Sequence, residues 1–426
     1  MTPQSNVMIA APVTPDRLAD LRALLATMNS APGQVDPANG LIPFERLDKV
    51  HFARLVVLDD ETVGDLAVYG ASFPDAPVYL VLTLDCDGPA DVALEALVRL
   101  AEPGLRRIFG HCQGFGQPAD LLAWLKARRV SPATAYVNWV GRTVQQAREE
   151  QALHQALAQR LAARPATETA VAAWTGLKRS VAEQGPALTP PRPTPIGWLI
   201  GEALTFLGRL LFALVLAPFL IIGLPIFVIV LRAKETRDPV IAPPFDPDKM
   251  RLIGAYEHRD VTNPFSAIGS VKPGLFRRLI VIVVLAGLDA AVRLLYTRGR
   301  LARVDTIHFA RWVLIDGGRR VFFASNYDGG LDRYMDDFIN KAGFGLNLVF
   351  SNGVGYPRTN WLLRDGAADE QNFKRFLRRH QVLTDVWYKA YPGLTTFDLA
   401  RNSRIRQGIE RSSMSEAAAA RWLAEI

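Results

Sequence analysis

Residues 46–59 read Arg-Leu-Asp-Lys-Val-His-Phe-Ala-Arg-Leu-Val-Val-Leu-Asp, and residues 303–316 read Arg-Val-Asp-Thr-Ile-His-Phe-Ala-Arg-Trp-Val-Leu-Ile-Asp, with no gap. Four of the six differences, Leu/Val, Val/Ile, Val/Leu and Leu/Ile, exchange one aliphatic residue for another. A second block runs alongside, residues 87–116 against 328–357. It matches Asp87-Gly88 to Asp328-Gly329, Asp91 to Asp332, Gly104-Leu105 to Gly345-Leu346, Phe109 to Phe350 and Gly114 to Gly355. The chain is therefore an internal duplication, and whatever one copy folds into must be formed twice.

The order of elements follows from one copy. Residues 6–13 form a short apolar strand, and Thr14-Pro15-Asp16 supplies an N-cap, a proline and a first-turn acid for a helix carrying Leu18, Leu21, Leu24 and Leu25. Residues 50–59 and 78–85 are Val/Leu-rich strands, separated by a loop at 61–76 that is longer than in the second copy. Asp87-Gly88-Pro89 breaks the second strand ahead of a helix over 90–109. A helix at 118–127 precedes a closing strand at 133–140. In the second copy Val271-Lys-Pro273 replaces Val13-Thr-Pro15, the first helix becomes residues 274–297, and Tyr388 sits in the closing strand.

This α+β order, βαββαβ with one added helix, resembles the ferredoxin-like module. Such a sheet carries helices on one face and leaves the other to be buried. Two copies solve that by packing face to face, and in element order and duplication the chain resembles the dimeric α/β barrel superfamily. The expected organisation is a first module at 1–165, a helix and proline-rich linker at 166–195 and a hydrophobic segment at 196–235. A linker at 236–262, a second module at 263–412 and a tail at 413–426 complete it.

Residues 210–231 contain no charge, and about 20 apolar residues suffice to cross a bilayer. Trp198 and Arg209 before the run, with Arg232 and Lys234 after it, suit the interface. A single crossing would separate the modules, so we expect Pro218, Gly223 and Pro225 to bend residues 196–231 into a shallow hairpin entering and leaving on one side. The rival is a true span with modules pairing between subunits, as a homodimer. The apolar run 279–288 ends in Asp289 and Arg293, four apart on one helix face, and is expected to be a greasy amphipathic helix rather than a span.

The 426 residues carry 49 Lys+Arg against 42 Asp+Glu, a net charge of +7, but the basic residues are scattered. That excludes a nucleic-acid interface and favours an anionic lipid surface. Cys86 and Cys112 have no metal-ligand spacing, so no zinc or other metal site and no disulfide framework is expected, with reduced thiols on the cytoplasmic face of the inner membrane. The N-terminus lacks a secretory signal pattern.

The conspicuous polar groups are the repeated His51/Arg54 and His308/Arg311. Strand alternation places the histidine and the arginine on opposite faces unless a bulge intervenes. Their bland reading is a buried Arg–Asp pair and a hydrogen-bonded core histidine. In Ser325-Asn-Tyr-Asp-Gly329, the Asp328-Gly329 pair resembles the Gly-x-x-Asp-Gly motif of dye-decolourising peroxidases, haem enzymes of two ferredoxin-like modules. That resemblance implies catalytic roles for Arg311 and Asp328, haem as cofactor, and His308 or His380 as its ligand. Asp87-Gly88 at the equivalent turn is explained by turn chemistry alone, and His380 by capping of a helix C-terminus.

The second copy also gains polar aromatics: Tyr327, Tyr334, Asn352 and Tyr356 replace Cys86, Ala93, His111 and Phe115. With Tyr388 and Tyr391 they are candidate pocket residues, Tyr327 joining Arg311 and Asp328 as catalytic. The expectation is a membrane-associated protein binding an apolar or lipid-derived small molecule, with peroxidase-like oxidoreductase chemistry in the second module. The alternative is a non-catalytic membrane-anchored scaffold.

Overall fold

A computed structural model describes residues 1–164, 168–257, 259–296, 299, 301 and 303–426, with side chains for all of these except Leu216 and Leu220. The expected helix end at Thr297 and the module boundary at residues 165–166 lie outside the described residues.

The repeat is visible element by element. Strands β1 (Gln4–Pro12), β2 (Val50–Leu58) and β3 (Tyr79–Asp87) recur as β5 (Thr262–Ser270), β6 (Ile307–Ile315) and β7 (Arg320–Asp328), each of 9 residues. Helix α1 (Leu18–Ala26) and helix α2 (Ala90–Phe109) fill the first half. Their counterparts are α8 (Leu275–Leu294) and α9 (Leu331–Phe350). Helices α2 and α9 even share a break, at Ala101 (φ −130°) and Ala342 (φ −135°). Pro103 lies beside the first break, but its counterpart is Phe344, so proline does not account for both.

Each half then departs from the expected module at its closing strand. Residues 128–130 lie beside β1, with Ala10 N–Arg128 O at 3.1 Å and Val130 N–Met8 O at 2.9 Å. The chain next crosses to the other sheet, where β4 (Thr134–Val137) pairs with β6. Likewise Val382 N bonds Ser266 O at 2.8 Å before β8 (Val386–Lys389) pairs with β2. The sheets are therefore antiparallel, in the orders β1-β3-β2-β8 and β4-β6-β7-β5, and each borrows its last strand from the other half. They stay separate four-stranded sheets linked at their edges by isolated bridges, instead of the closed barrel expected.

Strand β2 is buried along its whole length because both faces are covered. Ala53, Leu55 and Val57 meet α1 and α2, whereas Val56 and Leu58 join Val313, Ile315 and Phe322 of the facing sheet. The closing strands lead into α4 (Val144–Ala162) and α11 (Thr396–Glu410). These pack with α5 (Ala170–Gln184) and α12 (Glu416–Leu423) around Trp174 and Trp422, so the expected tail is part of a core. Short helices α3 (Leu121–Lys126), preceding β4, and α10 (Glu370–His380), preceding β8, complete the repeat.

Between the halves, α6 (Ile196–Arg237) is one uninterrupted helix of 42 residues, about 63 Å at 1.5 Å per residue. Pro218 and Pro225 each remove one backbone hydrogen bond without breaking it, so the expected hairpin does not form. The helix lies antiparallel on α8. Arg209 pairs with Asp289, Glu202 with Arg293 (2.7 Å), and Phe227 and Leu231 meet Phe276 and Ile280. Its C-terminal end is fixed by Glu235, which accepts from Thr359 Oγ1 and from the amides of Trp361 and Leu362, each at 2.9 Å. Helix α7 (Pro247–Tyr256) then leads to β5. Asp289 and Arg293 pair at 3.0 Å on α8, as the spacing predicts.

Candidate functional site

The two histidines sit at bulges. The ladder slips between Val50 and Phe52 in β2 and between Ile307 and Phe309 in β6, leaving His51 and His308 as the extra residues. A bulge turns a residue that would face the helices toward the other sheet. The His51 ring consequently lies 5.4 Å from Phe309, and Phe52 lies 5.4 Å from His308. Histidine and arginine thus share a face in each copy, contrary to regular alternation.

Each histidine is held by the aspartate that ends the neighbouring strand. His51 Nε2 lies 2.9 Å from Asp87 Oδ1, and the Val144 amide donates to Asp87 Oδ2 at 2.9 Å. In the second copy His308 Nε2 is 2.7 Å from Asp328 Oδ1, and Thr396 donates to Asp328 Oδ2 through its amide (2.7 Å) and hydroxyl (2.8 Å). Val144 and Thr396 open α4 and α11, whose positive N-terminal ends favour a carboxylate. Burial alone would raise the Asp328 pKa. His308, the Thr396 amide and the Thr262 hydroxyl outweigh it and hold the carboxyl below its ordinary value. The glycines that follow, Gly88 (φ +80°) and Gly329 (φ +86°), supply the left-handed turn. Thr262 Oγ1 donates to Asp328 at 2.7 Å and receives Lys389 Nζ, which also bonds Asp260 and Leu394 O.

The arginines fill the space between the sheets. Arg311 pairs with Asp85, both 2% exposed. Arg54 bonds Phe265 O and Ser325 O at 2.9 Å, Ser266 Oγ at 3.0 Å, and the side-chain oxygen Oδ1 of Asn326. Asn326 occupies the place of Asp85, so Arg311 has a carboxylate partner while Arg54 is held by neutral acceptors. The bland reading of the repeated motif, a buried Arg–Asp pair and a bonded core histidine, describes what is found.

The other sequence-selected residues are not gathered into one pocket. Tyr327 stacks on Tyr334 at 4.0 Å under α9, on the sheet face opposite Asp328 and Arg311, so the three proposed catalytic groups do not converge. Tyr334 bonds Ser325 Oγ at 2.6 Å. Asn352 accepts from Arg277 and Tyr356 donates to Asn347 near the end of α9. Tyr388 and Tyr391 belong to the first half's core, where Tyr388 stacks on Phe44 and the Tyr391 hydroxyl lies 3.0 Å from His51 Nδ1.

His380 does cap its helix, with Nδ1 2.8 Å from Phe376 O. Burial draws its pKa below the ordinary histidine value, leaving a neutral ring whose Nε2 is an unpaired acceptor. The ring abuts Gly269, where an added Cβ would come within 2.4 Å of Cδ2. His380 lines an apolar cavity of about 50 Å³ between the second sheet and α8, α9 and α10. Its wall includes Val281 and Leu285 of α8, Phe323, Phe350 and Trp312, whose indole Nε1 also lacks a partner.

A haem does not fit these residues. His308 Nε2 is committed to Asp328, and the free nitrogen of His380 faces a space far smaller than a macrocycle. Gly269, Trp312, Thr262 and Thr396 escaped the sequence reading. Only Thr396 left a signal, because Tyr136, Gly141 and Thr143 recur as Tyr388, Gly393 and Thr395 just ahead of α4 and α11. Comparisons of the chain with known protein families, with curated proteins and with solved structures found no match.

Proposed function

We propose that this protein works on the surface of a lipid bilayer and binds a small apolar molecule in the cavity under α8. The supporting observation is the position of α8: Val281 and Leu285 line the cavity, while Leu279, Ile282 and Val283 on its other side are exposed. Helix α6 extends that exposed apolar surface, with Leu211, Phe212, Phe219, Ile221, Ile222 and Ile226 each more than 60% open. Residues 196–215 meet the length and composition of a membrane-crossing helix. Yet α6 is tied to α8 from Glu202 to Leu231, which suits a helix lying in the plane of the membrane. The halves pack on one another within one chain, so both belong on one side. The charge of +7 suits the anionic cytoplasmic leaflet.

We read the paired sheets as a strand-exchanged relative of the ferredoxin-like duplication seen in dimeric α/β barrels, supported by the matched strands, bulges and kinks. Because Arg311, Asp328 and Tyr327 are spent on packing and ion pairing, the reading is of a binding protein without peroxidase chemistry. Native mass spectrometry of protein released from detergent tests it. A small apolar adduct is expected on the wild type and not on Leu285→Trp, which fills the cavity. Absence of any adduct, together with no thermal stabilisation by benzene, would favour the scaffold.

A further inference from the structure

Arg142 lies in the turn between β4 and α4, 5% exposed, with its guanidinium 3.8 Å over the Trp139 ring. Two of its nitrogens, Nε and Nη2, are buried and unpaired. These two N–H bonds point the same way from the planar group and form the fork that grips a carboxylate side-on. At Arg379 and Arg404 the same edge is occupied. Arg379 holds both oxygens of Asp65 at 2.8 and 2.7 Å, and Arg404 both oxygens of Glu425 at 2.9 and 2.7 Å. Burying such a fork empty costs the full desolvation of its donors.

Arg142 lines a recess of about 20 Å³ where the two halves meet, whose walls mix the polar Gln4, His51, His308 and Tyr391 with the apolar Trp139 and Phe309. No acidic side chain is among its lining residues; Asp87 and Asp328 stand behind the histidines. Glu150 acts on Arg142 through space but forms no ion pair with it, and burial raises the Glu150 pKa toward the neutral acid. The second half shows what a satisfied version looks like. There Leu394 replaces Arg142, and the buried cation is Lys389, which has three acceptors within 3.0 Å.

We propose that this recess binds a carboxylate of one or two carbons, seated on the Nε/Nη2 edge of Arg142. The volume is somewhat above the roughly 10–15 Å³ that one water needs, so only a very small group is seated within it. The site is independent of the apolar cavity and of the membrane.

The test uses the full chain in nanodiscs, labelled with ¹⁵N-arginine, and follows the Arg142 Nε–H resonance, identified by its loss in Arg142→Lys. Sodium acetate or formate at fixed ionic strength is expected to shift that resonance saturably, while sodium chloride does not. By calorimetry Arg142→Lys, which keeps the charge but loses the fork, should weaken acetate binding about tenfold or more. Glu150→Gln should leave it intact. An Nε–H resonance indifferent to acetate, or equally moved by chloride, overturns the proposal. So does an Nε–H resonance moved by Glu150→Gln but not by acetate, which would mean that Arg142 closes on Glu150 itself.

Discussion

A histidine three residues before an arginine on a regular strand faces away from it; one extra residue in the ladder reverses that. The bulges at His51 and His308 bring each imidazole to an aspartate at a helix N-terminus. That puts the histidines on the strand face where Arg54 and Arg311 lie in a dry layer between the sheets. Glu257 gives a pH-dependent reading of such burial. Desolvation lifts its carboxyl to about 7, although Gln381 Nε2 donates to it at 2.6 Å. Between the unfolded value near 4.3 and 7 the folded state binds the extra proton, so stability falls as pH rises through that window, by roughly 4 kcal/mol at 1.36 kcal/mol per unit. Glu257→Gln is expected to abolish that fall, leaving the variant more stable than wild type at pH 8, as melting curves at pH 4 to 8 would show. At Gly269 a methyl group would collide with the His380 ring. Gly269→Ala should cost about 1–3 kcal/mol in chemical denaturation, and His380→Ala in the same chain should recover much of it.

The exchange of closing strands makes the halves interdependent. Without its partner, residues 1–195 would leave β2 as a bare edge and β4 without a sheet, and residues 238–426 would lack the strand that covers β6. Produced separately, each should give little cooperative melting by circular dichroism, whereas co-expressed fragments should associate and melt together. A folded, monomeric 1–195 would contradict the exchange. Element types were legible because hydrophobic periodicity and turn chemistry are local: α2 falls on the expected 90–109 and the first three strands within two residues of theirs, while the closing strand expected at 133–140 is only Thr134–Val137. Partner choice was not, because β4 and β8 are too short and too plain in sequence to say which edge they complete. The bulges were equally silent, since His-Phe-Ala-Arg reads the same in a regular strand. The repeated Asp-Gly was legible as a turn, while the helix N-termini that seat Asp87 and Asp328 lie more than 50 residues further along the chain.

For the whole molecule, the two-sided burial of β2 and β6 and the ion-paired layer between the sheets make a rigid body, and α6 with α8 gives that body one greasy side. A helix of this length and apolarity normally crosses a bilayer; here its ion pairs with α8 and its hold on residues 359–362 keep it beside the body. Depth measurement by electron paramagnetic resonance of single spin labels placed in turn along residues 199–229, in liposome-bound protein, tests this most directly. A helix lying in the membrane plane predicts immersion that oscillates every 3.6 residues about a constant shallow mean. A mean depth running from one interface through the bilayer centre to the other, or labels that stay in water throughout, would contradict it.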